Sequence, residues 1–64
     1  MFSDLDILRA AHLMKHEYGR DAEHAAAKYA DLMRVRGDRD ALLTWARIWR
    51  AIAVMHLAPT GLPQ

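Results

Sequence analysis

The chain has 64 residues, enough for one domain at most, and a chain of this length buries only about 60% of the surface that it exposes when unfolded. Hydrophobic residues make up 53% of the sequence and charged residues 27%, which excludes an intrinsically disordered chain. The formal net charge of +1 gives no basis for polyanion binding. The lack of cysteine excludes disulfides and thiolate metal sites. No apolar run approaches the roughly 18 residues that a membrane span requires. We therefore expect a soluble cytoplasmic protein with no membrane partner.

The first predicted helix covers residues 4–18. Ser3 and Asp6 have the spacing of a capping box, and Gly19 is suited to end the helix in a left-handed conformation. Leu5 and Leu13 lie partly off the apolar stripe of this helix, so they form one candidate contact surface. The stripe itself consists of Ile7, Leu8, Ala11, Met14 and Tyr18.

The second predicted helix covers residues 22–36, with Asp21 as its N-cap and Gly37 just beyond its end. Alanines are frequent on its inner face and would let a neighbouring helix approach closely. The predicted inner face consists of Ala22, Ala25, Ala26, Tyr29, Leu32 and Met33.

The third predicted helix covers residues 39–57 and has the longest apolar pattern in the chain. Asp38 is its predicted N-cap, and Pro59 prevents the helix from continuing far beyond Leu57. Trp45 and Trp49 are one turn apart, and we expect them to contribute most of the core. Residues 58–64 are expected to form an extended tail.

The two predicted loops are short, and each combines a glycine with an aspartate. Short loops make neighbouring helices run antiparallel, so we expect an all-α fold, an up-down-up three-helix bundle in a single domain of residues 1–57. The alternative is an open arrangement in which the third helix completes its core in a second copy.

Apolar residues occupy most of the circumference of the third helix, more than two short helices can cover. Excess apolar surface bordered by arginines is typical of partner-binding patches. We therefore expect a protein partner or self-association, either as a homo-oligomer or as an accessory or inhibitory subunit of a larger assembly. The candidate contact residues on this helix are Leu43, Arg47, Arg50 and Val54.

Catalytic and metal-binding patterns are weak. His12 and His16 are one turn apart and could share a metal ion, but two ligands do not make a site. Ser3 is assigned to a helix cap, and the chain has no cysteine to act as a nucleophile. A bundle of this size has little room for a substrate pocket. We expect no enzymatic activity, no cofactor and no small-molecule substrate.

DNA binding is the alternative function, because the second and third helices could form a helix-turn-helix with Arg39, Arg47 and Arg50 facing the duplex. Asp38 and Asp40 oppose it, since they put negative charge on the helix start that would enter the groove.

Several short motifs resemble a group of short uncharacterised bacterial helical proteins. They are Tyr18-Gly19-Arg20-Asp21-Ala22, Leu32, Gly37-Asp38 and Trp45-Ala46-Arg47-Ile48, within residues 13–53. The resemblance implies a compact helical fold and no known activity.

Overall fold

The computed structural model describes residues 2–57, and these form three α-helices. Helix α1 spans Asp4–Tyr18, α2 spans Ala22–Arg36 and α3 spans Arg39–Leu57, with a 3₁₀ turn at Gly19–Asp21 between α1 and α2. The described part of the chain contains no β-strand. The all-α class and the three predicted helix ranges are confirmed, whereas the predicted tail at residues 58–64 lies outside the described residues.

Helix α1 begins with the predicted capping box. The Asp6 amide donates to Ser3 Oγ at 3.2 Å, and the Ser3 amide donates to Asp6 Oδ2 at 3.1 Å. These bonds satisfy two amides that the first helical turn would otherwise leave unpaired. The bond from Ser3 is the main reason that the pKa of Asp6 lies below its usual value of 3.8.

The connection between α1 and α2 differs from the predicted loop. Gly19 has a φ of 58° but a ψ of −123°, so it does not adopt the predicted left-handed helical conformation. Its amide donates to the Lys15 carbonyl, and the chain then continues through the 3₁₀ turn directly into α2. Asp21 is the N-cap residue of α2, as predicted, but its side chain makes no capping hydrogen bond. Its φ of −86° and ψ of 4° differ from the extended backbone that lets an N-cap side chain reach the next amides.

The connection between α2 and α3 is a tight turn at Gly37. Gly37 has a φ of 76° and donates to the Arg34 carbonyl, and the Asp38 amide donates to the Met33 carbonyl at 2.9 Å. This pair of bonds is a Schellman motif, which requires the left-handed backbone that glycine adopts without strain. The Ala41 amide donates to Asp38 Oδ1 at 3.1 Å, which confirms Asp38 as the N-cap of α3.

Helix α3 packs against both other helices, most extensively against α2, while α1 and α2 contact each other least. Two contacts give the direction of α2 and α3. His56, near the end of α3, contacts Glu23 near the start of α2, and Trp45 stacks on Tyr29 with ring centroids 4.6 Å apart. Because the chain reverses between Gly37 and Arg39, α2 and α3 form an antiparallel helical hairpin.

The core is made of aliphatic and small residues rather than tryptophan. Trp49 is 44% exposed and Trp45 is only partly buried, so the expectation that the two tryptophans contribute most of the core was wrong. Ile48 and Ile52 occupy the inward face of α3, and alanines on α2 allow the helices to approach closely. The buried cluster consists of Ile7, Ala11, Met14, Ala22, Ala26, Ile48 and Ile52.

Candidate interaction surface

Helix α3 has a second apolar face on the side opposite its buried residues. We call this face the α3 outer seam, and it consists of Leu43, Arg47, Arg50, Val54 and Leu57. These residues are alternately four and three positions apart, the spacing at which one helix packs along another. Leu43 is 59% exposed and Val54 55%, whereas Ile52 on the other side of the helix is fully buried. The helix therefore has two faces suited to packing, and the fold uses only one.

Arg47 is held by the start of α1. Its Nη2 donates to Asp4 Oδ1 at 2.6 Å, and its Nη1 donates to the Phe2 carbonyl at 3.2 Å. The Asp4 side chain is almost fully exposed, so water screens this ion pair and its contribution to stability is small. The contact nevertheless brings Phe2, itself exposed, close to the outer seam.

Arg50 is exposed and has no ion-pair partner among residues 2–57. Residues 41–57 contain no acidic side chain, and the nearest carboxylate along α3 is that of Asp40 in its first turn. The middle of the outer seam therefore carries uncompensated positive charge.

The four predicted contact residues of α3, Leu43, Arg47, Arg50 and Val54, thus share one exposed face. The two predicted on α1 are also exposed, Leu5 at 55% and Leu13 at 60%. The contact between Asp4 and Arg47 places the first turn of α1, and hence Leu5, beside the outer seam. Leu13 lies about 12 Å further along α1, at a rise of about 1.5 Å per residue.

The histidines among residues 2–57 do not come together to form a metal site. His12 and His16 are exposed, and no group of three or more potential ligands among residues 2–57 is close enough to hold a metal ion. His56 Nδ1 lies 2.8 Å from Glu23 Oε2, a contact between helices that spacing along the sequence could not reveal.

An exposed apolar strip along α2 was not predicted from the sequence. Tyr29 and Leu32, predicted to face inward, are 38% and 42% exposed, and Tyr18 at the end of α1 is 41% exposed. Together with Val35 they line a shallow open depression of about 650 Å³. The neighbouring Tyr29 hydroxyl raises the pKa of the Tyr18 phenol. The many alanines of α2 could have indicated this exposure, because a face of small residues packs closely and leaves the larger side chains at its edges.

Comparison of the chain with protein-family models, with curated proteins and with solved structures found no match. Within residues 2–57, no helix combines the length and the apolar character needed to cross a membrane.

Proposed function

We propose that this chain is a non-enzymatic protein–protein interaction module of the cytoplasm. It binds its partner through the α3 outer seam, either as a homo-oligomer or as an accessory or inhibitory subunit of a larger assembly. In this proposal α1, α2 and α3 form an up-down-up bundle, with α3 presenting its outer face to the partner. The module uses no cofactor and no small-molecule substrate.

One observation supports this proposal above the others. Leu43, Val54 and Leu57 are all more than half exposed, and they lie on one face of a helix whose opposite face is already buried. Exposed apolar side chains arranged at helix-packing spacing and accompanied by arginine are typical of protein contact surfaces. Burial of such side chains against a partner would remove apolar surface from water, which is the main driving force of association.

The DNA-binding alternative gains no support from the packing. Helices α2 and α3 lie antiparallel along each other, as the contacts of His56 with Glu23 and of Trp45 with Tyr29 require. A helix-turn-helix instead crosses its two helices at about 90–120°. In addition, Asp38 caps α3 at the end that would have to enter the groove.

The proposal is tested by site-specific photo-crosslinking in the native host. A benzophenone amino acid replaces Val54 on the outer seam, and a matched control replaces Val35 on α2, which is 71% exposed. We expect a discrete adduct from position 54 and none from position 35, and the mass of the adduct distinguishes a second copy from another protein. Absence of any adduct at position 54, or the same adducts from both positions, would contradict the proposal.

A second variant set tests the same surface without a crosslinker. Leu43→Ser combined with Val54→Ser removes exposed apolar groups, so we expect an unchanged circular dichroism spectrum and loss of association. Arg47 is less suitable for this purpose, because its replacement also removes the contact with Asp4 and Phe2.

A further inference from the structure

We infer that the occupant of the α3 outer seam is an amphipathic helix of another protein, with carboxylates at the middle of the contact and apolar residues on either side. This inference rests on the proposed function and specifies the chemistry of its partner. Two features indicate this partner: the order of charges along the seam, and the small number of carboxylates that the chain itself has free.

The outer seam has apolar ends and a cationic middle. Leu43 lies at one end, Val54 and Leu57 lie at the other, and Arg47 and Arg50 lie between them. From residue 43 to residue 57 the seam is about 21 Å long, so a partner helix of about four turns would cover it. Covering the seam would take the Arg50 guanidinium out of water, which is costly unless the partner supplies an opposite charge.

A second copy of α3 packed seam against seam does not bring a carboxylate to Arg50, because Asp40 lies in the first turn and residues 41–57 contain no acidic side chain. In an antiparallel pair with its two-fold axis midway between residues 48 and 49, Leu43 faces Val54 of the second copy, but Arg47 faces Arg50. In a parallel pair each arginine faces its own equivalent. Both of these arrangements place arginine on arginine. Although Asp4 offsets part of the charge of Arg47, neither arrangement places a free carboxylate opposite Arg50, and this disfavours both.

The second candidate face of this chain, formed by Leu5 and Leu13 on α1, does not provide a carboxylate for Arg50 either. On α1, Arg9 lies midway between Leu5 and Leu13 in both sequence and helical angle, so this face also has a cation between two leucines. Docking α1 of a second copy on the outer seam would again oppose arginine with arginine.

Most carboxylates of the chain already have a role within the fold. Asp4 pairs with Arg47, Asp31 with Arg34, and Glu23 contacts His56. Asp6 and Asp38 cap the starts of α1 and α3. Of the eight acidic residues, the three that remain are Glu17, Asp21 and Asp40.

The cations are far less engaged. Of the nine lysines and arginines, only Arg34 and Arg47 form ion pairs among residues 2–57. Although the formal net charge is only +1, the charged groups left over for a partner are thus mainly positive. Charge complementarity therefore favours an acidic partner over a second copy.

The test uses two synthetic peptides that differ only in charge. Both are hydrocarbon-stapled, amidated helices of 18 residues with leucines at the seam-facing positions. The two central seam-facing positions carry glutamate in one peptide and lysine in the other. The intrinsic tryptophan fluorescence of the protein, or the fluorescence anisotropy of a labelled peptide, gives the dissociation constants. We expect the wild-type protein to bind the glutamate peptide at least about tenfold more tightly than the lysine peptide.

The same binding measurements on charge-reversed variants of the protein show whether Arg50 is responsible for the preference. We expect Arg50→Glu to reverse the preference, so that the lysine peptide binds more tightly. Lys28→Glu is the matched control, because it makes the same charge change at an exposed position on the solvent side of α2, and it should leave the preference as in the wild type.

Several outcomes would overturn the inference. Equal binding of the two peptides, no binding of either, or a preference that Arg50→Glu does not reverse would each contradict it. Formation of a dimer in sedimentation equilibrium that Arg50→Glu strengthens would show that a second copy is the occupant. So would a position-54 adduct with the mass of two chains, and in both cases the proposed function would stand. The proposed function itself fails if position 54 yields no specific adduct, or if Leu43→Ser combined with Val54→Ser leaves association unchanged, whatever the peptides do.

Discussion

Trp49 and Ile52 lie three residues apart on α3, yet their side chains are in different environments. Ile52 is fully buried between the three helices, whereas Trp49 is 44% exposed. Side-chain size therefore does not determine which residue holds the fold together. The angular position on the helix does, because the centre of the inward face coincides with Ile48 and Ile52.

This difference in burial predicts that replacing the smaller side chain costs more stability than replacing the larger one. We expect Ile52→Ala to lower the free energy of unfolding by about 2–5 kcal/mol, through lost burial and a residual cavity. Trp49→Ala should cost only about 1 kcal/mol, because much of the indole is already in water. Urea unfolding followed by circular dichroism measures both.

Ile52→Ala alone could unfold a chain whose total stability is expected to be about 3–10 kcal/mol. Ile52→Val, expected to cost about 0.5–1.5 kcal/mol, therefore serves as a milder variant. A larger loss for Trp49→Ala than for Ile52→Ala would contradict this account of the core.

The capping box at Ser3 supports a second prediction. Ser3→Ala removes the hydroxyl that accepts from the Asp6 amide, and loss of such a cap costs about 1 kcal/mol. For a domain of this size that corresponds to a fall of about 4–8 °C in Tm. Ser3→Asp, which keeps an accepting oxygen, should lose much less, and equal losses for the two variants would argue against the cap.

The capping box also makes the free energy of unfolding depend on pH. Because the pKa of Asp6 is lower in the folded chain than its usual value of 3.8, its stabilising effect is present above about pH 4 and is lost as the pH falls through the lower folded pKa. We expect Asp6→Asn to be less stable than the wild type at pH 6 and to lose less stability on acidification. Thermal melts from pH 6 to pH 2 measure this difference, and parallel curves for the two proteins would refute the assignment.

At the scale of the element, α2 is defined by a stripe of small residues. Ala22, Ala26 and Ala30 are one turn apart and all buried. Without large side chains between the helices, the backbone of α2 can lie close to its neighbours, and this leaves Tyr29 and Leu32 at the edge of the packed face.

The alanine stripe predicts that replacing an alanine of α2 by leucine destabilises the fold at a buried position but not at the adjacent, partly exposed one. Ala26→Leu should overpack the core and cost about 1–3 kcal/mol or more. Ala27→Leu, the same change at the adjacent, partly exposed position, should be nearly neutral. Urea midpoints of the two variants test this prediction, and similar midpoints would mean that α2 is not closely packed at Ala26.

At the scale of the whole molecule, much apolar surface remains in water. Twelve large hydrophobic side chains among residues 2–57 are exposed, and they occur on all three helices. A chain of 64 residues that leaves these groups uncovered gains little free energy from its own core. Binding of a partner should therefore contribute a large share of its stability.

If the inferred partner is acidic, the glutamate peptide should raise the Tm of the chain more than the lysine peptide does. A ligand at about one hundred times its dissociation constant stabilises the folded state by about 2.7 kcal/mol. At about 4–8 °C per kcal/mol, the glutamate peptide should raise Tm by more than about 10 °C. The lysine peptide at the same concentration should give about half that shift or less, and equal shifts would contradict charge recognition.

The periodicity of apolar residues and the cap signals at Ser3, Gly37 and Asp38 were sufficient to predict the all-α class and the helix ranges, because these features depend on neighbours within one turn. The exposed positions of Leu43, Arg50 and Val54 were also predictable, since they follow from angular position on one helix. The environment of Trp49 and the pairing of Arg47 with Asp4 were not, because they depend on where α1 and α2 lie against α3.

The ends of the helices and the apolar character of more than one side of α3 could thus be predicted from the order of the residues. The packing of the helices was needed to show which side of α3 is buried, which carboxylates form contacts within the fold, and that Arg50 has no counter-charge among the described residues. The physical reason is distance along the chain: helix signals act over three or four residues, whereas Asp4 and Arg47, or Glu23 and His56, meet only after the helices have packed.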